Sequence, residues 1–251
     1  MAKQKGIVKL EGTIADLTFY KSQDGYLARE KGGVPAARIA NDPAFQRTRE
    51  NGSEFGRAGK AGKLLRNSLR GLLLNASDSK MVARLTRQMV RVVKMDAVNP
   101  RGERNVIDGE VVLLEGFEFN ARGKLGSSFY APFNAGIDRV TGKLKVDIPA
   151  FVPINMIAAP AGTTHFKVIS GGTEVDFTNE TFVTDTKESG ILPWDKEPPA
   201  VINLENTVTA GSTLPLFIAL GLEFFQQVNG VMYSLKNGAF NSLALVKVSG
   251  E

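Results

Sequence analysis

The stretch LPLFIALGLEFFQQVNGVMYSL, residues 214–235, decides how this chain is read. Its apolar run over 214–225 carries Glu223 and falls short of the ~18 uninterrupted apolar residues of a membrane span, so it reads as a strand. Asn229-Gly230 then separates it from a second short apolar run at 232–235. An Asn-Gly pair between two such runs is a hairpin signal, because both residues accept the positive φ that a type I′ turn requires.

The same texture extends over the C-terminal half. Further short strands are expected at 111–114, 117–120, 126–130, 143–148, 165–169, 174–177, 181–184, 201–204 and 242–248, separated by Gly, Asn and Pro, with another hairpin turn at Asn237-Gly238. Regularly spaced short strands predict an Ig-like β-sandwich over residues 105–251. A soft sub-boundary falls at 149–160, where proline recurs in IPAFVPINMIAAPAG.

Residues 1–104 read differently. Alternation over Leu10, Gly12, Ile14 and over Leu17, Phe19, followed by the turn Ser22-Gln23-Asp24-Gly25, predicts an N-terminal β-hairpin of two or three strands. Asp42-Pro43 opens a helix, with Asp as cap and Pro in the first turn, that runs to about Leu74. A second helix, capped by Ser77 or Asp78, reaches about Ala97 and is expected to bury Val82, Leu85, Met89 and Val92, with Met81 and Val93 beside them. The chain is therefore read as strand-rich α+β: a hairpin plus a basic two-helix segment in 1–104, and a β-sandwich in 105–251.

Charge is unevenly spread. Residues 47–104 hold 14 Lys/Arg against 5 Asp/Glu, a net +9, whereas residues 105–251 hold 10 against 16, a net −6. The second helix carries Lys80, Arg84, Arg87, Arg91 and Lys94 at spacings of 4, 3, 4 and 3, which puts five cations on one face. Such a row without interspersed anions is suited to a negative partner. The first helix adds Arg57, Lys60 and Lys63. It also places Gly52, Gly56 and Gly59 at helical spacing, a thin face that costs about 1 kcal/mol per glycine relative to alanine and reads as a close-packing surface.

Motifs of catalysis are lacking. Zero cysteines exclude disulfides, thiolate metal sites and thiol nucleophiles, and the three Asn-x-Ser/Thr sequons are chance matches in a chain read as cytoplasmic. The N-terminus MAKQKGIVKLEG lacks the apolar core of a secretory signal. His165 is the sole histidine and reads as a packed strand residue. The run Gly56-Arg-Ala-Gly-Lys-Ala-Gly-Lys63 misses the Walker A register, since Arg57 stands where glycine is needed and Leu64 where Ser or Thr would bind Mg²⁺. Glu110, Glu115, Glu118, Asp138 and Asp147 are the available carboxylates, and a hydrolase built on Glu110 and Glu115 is the enzymatic alternative. No cofactor or metal site is expected.

The blocks GTIADLTFYKSQDGYLAREKGG, NDPAFQRTRENGSEFGRAGKAGKLLR, RNVIDGE and IPAFVPINMIAAPAGTTHFKVISGG resemble an uncharacterised family of Bacteroidota proteins of similar length, a domain of unknown function. The resemblance implies a bacterial cytoplasmic protein with a hairpin, two helices and a C-terminal sandwich. The general character of such families points towards phage or injection-machine structural components. The reading at this stage is a non-enzymatic structural or assembly protein that self-associates, as a homo-oligomer or filament, or docks to an acidic protein. The alternative is non-specific nucleic-acid binding through the basic helix face, salt-sensitive and without a stacking platform, since Phe55 is the one aromatic in 47–104.

Overall fold

The alternation of the first thirty residues forms a sheet in the structure, a computed structural model that describes residues 2–30, 32–199, 201–235 and 240–250. Strands β1 (Ala2–Lys3), β2 (Gly12–Ile14), β3 (Leu17–Ser22) and β4 (Gly25–Glu30) pair antiparallel in the order β1-β4-β3-β2. The β3–β4 connection turns at Gly25, whose φ of 103° suits a residue without Cβ. Helix α1 (Ala36–Asn41) follows, then a 3₁₀ turn at Pro43–Phe45 that Asp42 caps through Ala44 N at 2.9 Å. Burial favours no side chain of this region except Leu27 among its described residues. The chain divides into two units, Met1–Arg49 and Glu50–Glu251, and the boundary expected near 104 lies inside the second.

Helices α2 (Gln46–Ser68), the short α3 (Arg70–Leu73) and α4 (Met81–Lys94) come next. Leu85, Met89, Val92, Met81 and Val93 of α4 are buried as their spacing predicts, but Val82, on the same stripe in the first turn of the helix, is 45% exposed. Opposite them α2 contributes Ala58, Ala61, Gly62 and Leu65. At Gly62 an added Cβ would sit 3.6 Å from Met89 Cγ and 3.7 Å from Leu85 Cγ, so this glycine marks the close approach of the two helices.

Two antiparallel sheets complete the second unit, and the sheets of the chain include a curled half-barrel. After α5 (Leu125–Ser128), strands β5 (Asn134–Asp138) and β6 (Lys143–Ile148) begin the smaller one. The short α6 (Pro153–Met156) leads to β7 (His165–Asp176), β8 (Thr181–Glu188), β9 (Leu192–Pro193) and β10 (Ile202–Thr207). Strands β11 (Leu216–Val228), β12 (Val231–Ser234) and β13 (Ser242–Ser249) follow. The three-stranded sheet has the order β10-β6-β5. The six-stranded sheet has the order β12-β11-β7-β8, with β13 also on β11 and β9 also on β7.

Layering explains the unbroken apolar run that dominated the sequence. Residues 216–225 of β11 are all buried. Leu216, Ile218, Leu220, Leu222 and Phe224 join a core with Leu144, Val146 and Ile148 of β6 and Ile202 and Leu204 of β10. Phe217 and Ala219 join Leu65, Leu69, Leu85 and Met89 of the helices in the other core. Both faces of the strand are covered, so alternation disappears. The sequence texture predicts a two-sheet Ig-like sandwich from 105 onward; in the structure the second sheet has three strands, and helices pack on the far face of the larger one. Both cores draw on either the helices or the small sheet, and the proline-rich stretch at 149–160 is packed in, with Phe151 and Ile157 buried.

Local expectations meet mixed outcomes. Asn229 and Gly230 take φ of 50° and 79° and make the β11–β12 hairpin. Asn237-Gly238 lies outside the described residues. Residues 165–169 and 174–176 belong to one strand, because Gly171 and Gly172 do not break β7 but thin it. A Cβ on Gly171 would lie 2.5 Å from Leu72 Cδ1, and one on Gly172 would lie 2.6 Å from Asn206 Cβ, so each glycine admits a packed neighbour on its own face. Val111–Leu114 is a 3₁₀ turn capped by Glu110, residues 117–120 contribute an isolated bridge from Glu118 to Ala244, and 126–130 begins as α5. Strand β5 falls outside the strands that the sequence texture predicts.

Candidate functional site

The cations chosen by spacing separate into two chemical kinds. Arg84 turns inward: its Nη1 donates to Glu118 O at 2.6 Å, its Nη2 to Phe119 O at 3.1 Å and to the Asp78 carboxylate, and its guanidinium lies 5.4 Å from the Phe117 ring centroid. Asp78 in turn accepts from Lys80 N and Ala121 N. Burial raises the Asp78 pKa, but these backbone donors and Arg84 outweigh it and hold the carboxyl below its ordinary value. Arg84 is therefore a clasp between α4 and the 118–121 segment.

Arg57 is also engaged, donating to Gly102 O at 2.6 Å and Arg104 O at 3.2 Å. Nearby, Glu54 is 5% exposed in its side chain and accepts from Arg104 Nε and Gly102 N, both at 2.8 Å. Arg101 reaches Glu50 at 3.5 Å. These contacts fasten the 101–104 loop onto α2. Asp96, 5% exposed, accepts from Val98 N, Asn99 N, Asn99 Nδ2 and Asn105 N at 2.8–3.0 Å. Burial pushes its pKa up, and the four donors override this to bring it down to about 2.

The remaining cations face outward. Lys80 at the start of α4, Arg87, Arg91 and Lys94 within it, and Lys60 and Lys63 of α2 are exposed, and none of them makes an ion pair among the described residues. Arg91 donates to Gln88 Oε1 at 3.2 Å on its own helix. At 1.5 Å rise per residue, Lys80 to Lys94 forms a row about 21 Å long. Gly52, Gly56 and Gly59 have nothing within 4 Å of an added Cβ, so they pack against no described part of this chain; close packing on α2 falls at Gly62 instead.

Concave surfaces are modest. Arg57, Lys60, Ala61, Leu64, Ile107 and Phe177 line a cleft of about 220 Å³ with Glu180 at its rim. Another, of about 450 Å³, holds Asp108, Glu110 and Asp176. A third, of about 380 Å³, gathers Arg84, Gln88, Glu115, Glu118 and Lys124. Glu110 and Glu115 thus line different clefts. Each also serves the backbone: Glu110 accepts from Val112 N, Glu115 from Val248 N, Glu118 from Leu125 N, and Asp138 from Val140 N. Burial raises the Glu118 pKa, against the backbone bonds and Lys124 and Arg84 that lower it. His165 pairs through Nδ1 with Thr164 Oγ1 at 2.9 Å. No group of three or more His, Cys, Asp or Glu among the described residues is placed to hold a metal ion.

A further ionic cluster, half-buried among the strands, was not revealed by spacing. Lys167 of β7 meets Glu188 of β8 at 2.8 Å and Glu223 of β11 at 3.1 Å, and Glu223 accepts from Asn75 Nδ2 at 2.8 Å. This ties three strands to the loop between α3 and α4. The signal in the sequence was Glu223 itself, the one charge in the apolar run.

Comparison with protein-family models, curated proteins and solved structures finds no match to the chain. No helix among the described residues is long and apolar enough to cross a membrane.

Proposed function

We propose that this chain is a structural or assembly protein that works by self-association or by docking to an acidic protein surface. The observation that carries this reading is the outward row of Lys80, Arg87, Arg91 and Lys94, which has no counter-charge among the described residues while residues 105–251 carry a net −6. Opposite charge on different parts of one chain suits heterologous contacts, which close into rings or continue as filaments. Gly52, Gly56 and Gly59 of α2 support it, since each weakens the helix by about 1 kcal/mol and an added Cβ at each would meet nothing within 4 Å among the described residues. No catalytic step belongs to this reading.

The test is charge reversal of Arg87, Arg91 and Lys94 to Glu, followed by sedimentation velocity at low salt. The native chain sediments as an assembly and the variant as a monomer with unchanged circular dichroism; equal sedimentation overturns the proposal. The same unpaired row favours a second reading, non-specific phosphate binding. A labelled random duplex added in the same cell then co-sediments with the native chain, with affinity falling steeply as salt rises.

A further inference from the structure

The N-terminal sheet buries too little to stand by itself. Four strands of two to six residues enclose one buried side chain, Leu27, whereas an independent small sheet needs a covered apolar face. Strand register shows which face lacks its cover. Directly paired residues share a face, so Ile14, Leu17, Phe19, Ala28, Tyr26 and Ala2 lie on one side: Leu17 is opposite Ile14, Phe19 opposite Ala28, Lys21 opposite Tyr26, and Ala2 opposite Ala28. Ile14 is 60% and Leu17 47% exposed. The other face holds Thr13, Thr18, Tyr20 and Arg29, with Arg29 stacked 5.5 Å over Tyr20.

Charge at the two ends of the apolar face selects its occupant. Lys21 sits at one end, 5.5 Å over the Tyr26 ring, and Glu30 sits at the other, opposite Leu17. Two copies related by a two-fold axis across the strands would bring Lys21 of each over Glu30 of the other, with the apolar residues between them. A self-complementary pattern of this kind is what an isologous contact requires.

We propose that this face packs on the same face of a second copy of the chain. The inference rests on the self-association reading above but uses a different surface from the basic row. Four strands about 4.8 Å apart and about 15 Å long offer roughly 300 Å² per copy. The total of about 600 Å² is below the ~1,200 Å² of a stable free-standing interface, so the contact is reversible and acts as one of several in an assembly.

The chain has no native cysteine, which makes a single introduced thiol diagnostic. Ala28→Cys lies near the centre of the apolar face and Arg29→Cys on the opposite one. Stacked sheets lie about 10 Å apart, so a bismaleimide of that reach is applied to each full-length variant in 0.5 M NaCl, where contacts of the basic row are screened. The expected result is a covalent dimer for Ala28→Cys, several-fold above Arg29→Cys. At low salt, adding Lys21→Glu to Ala28→Cys lowers the dimer yield about tenfold, and adding Glu30→Lys as well restores it. Equal yields at the two positions, no dimer at either, or a double swap that fails to restore linking would each overturn the proposal. Because linking in high salt is independent of the basic row, linking by Ala28→Cys together with salt-insensitive sedimentation would reject the basic-row reading and leave this contact standing.

Discussion

Removing Arg84 should unfold the protein more readily than removing Arg87, although the two are three residues apart in the same basic row. Arg84→Ala deletes charge-assisted bonds to Glu118 O and Phe119 O, the pair with Asp78, and the contact with Phe117. Asp78 keeps Lys80 N and Ala121 N, so its carboxylate is not left bare. Three lost bonds at about 1 kcal/mol each, plus about 0.5 kcal/mol for the ring contact, give a loss of roughly 3.5 kcal/mol. Arg87 is exposed and unpaired among the described residues, so Arg87→Ala should stay within about 0.5 kcal/mol of the native chain. Urea unfolding followed by circular dichroism reads the difference: with a slope of about 2–3 kcal/mol/M, the Arg84→Ala midpoint falls by about 1.5 M while that of Arg87→Ala barely moves. Equal shifts for the two variants would refute the division of the row into a structural clasp and a free surface.

Replacing Gly52, Gly56 and Gly59 together by Ala should stabilise the monomer by about 2–3 kcal/mol in thermal unfolding, because each new Cβ meets open space in a helix interior. Lys167→Met should cost about 3–5 kcal/mol by leaving Glu223, 8% exposed, as a buried carboxylate without its cation; the double variant Lys167→Met/Glu223→Leu should recover part of that loss. Asp96 holds its proton less tightly when folded, with a pKa of about 2 against an ordinary 3.8. Its contribution is therefore complete above about pH 4 and is lost as pH falls through about 2, and Asp96→Asn should flatten stability against pH within that window.

Much of the fold was legible where one face of an element meets water. Lys143–Ile148 alternates buried and exposed residues and was placed to the residue, and the α4 stripe named its core side chains. Legibility failed where the physical cause lies far off in the chain. The four apolar residues Val111–Leu114 carry no period that separates a strand from a 3₁₀ turn. The Ser170-Gly171-Gly172 stretch reads as a turn until Leu72 and Asn206 are known to press on its two faces. The basic row shows the same limit: spacing found the five cations from Lys80 to Lys94, but Arg84 differs from Arg87 through carbonyls 34 and 35 residues away. The glycine face of α2 was legible as a pattern, whereas its partner in the fold, Gly62 against Leu85 and Met89, lay one turn beyond it.

In the proposed function, the uncompensated cations of the Lys80–Lys94 row hold this chain to another protein surface, most simply that of a second copy. Light scattering of the purified full-length chain, across protein concentration and from low to 0.5 M-range salt, tests it most directly. The expected result is a mass above the 27.1 kDa of one chain at high concentration and low salt, falling as salt is raised. A mass of 27.1 kDa at every concentration and salt would contradict it.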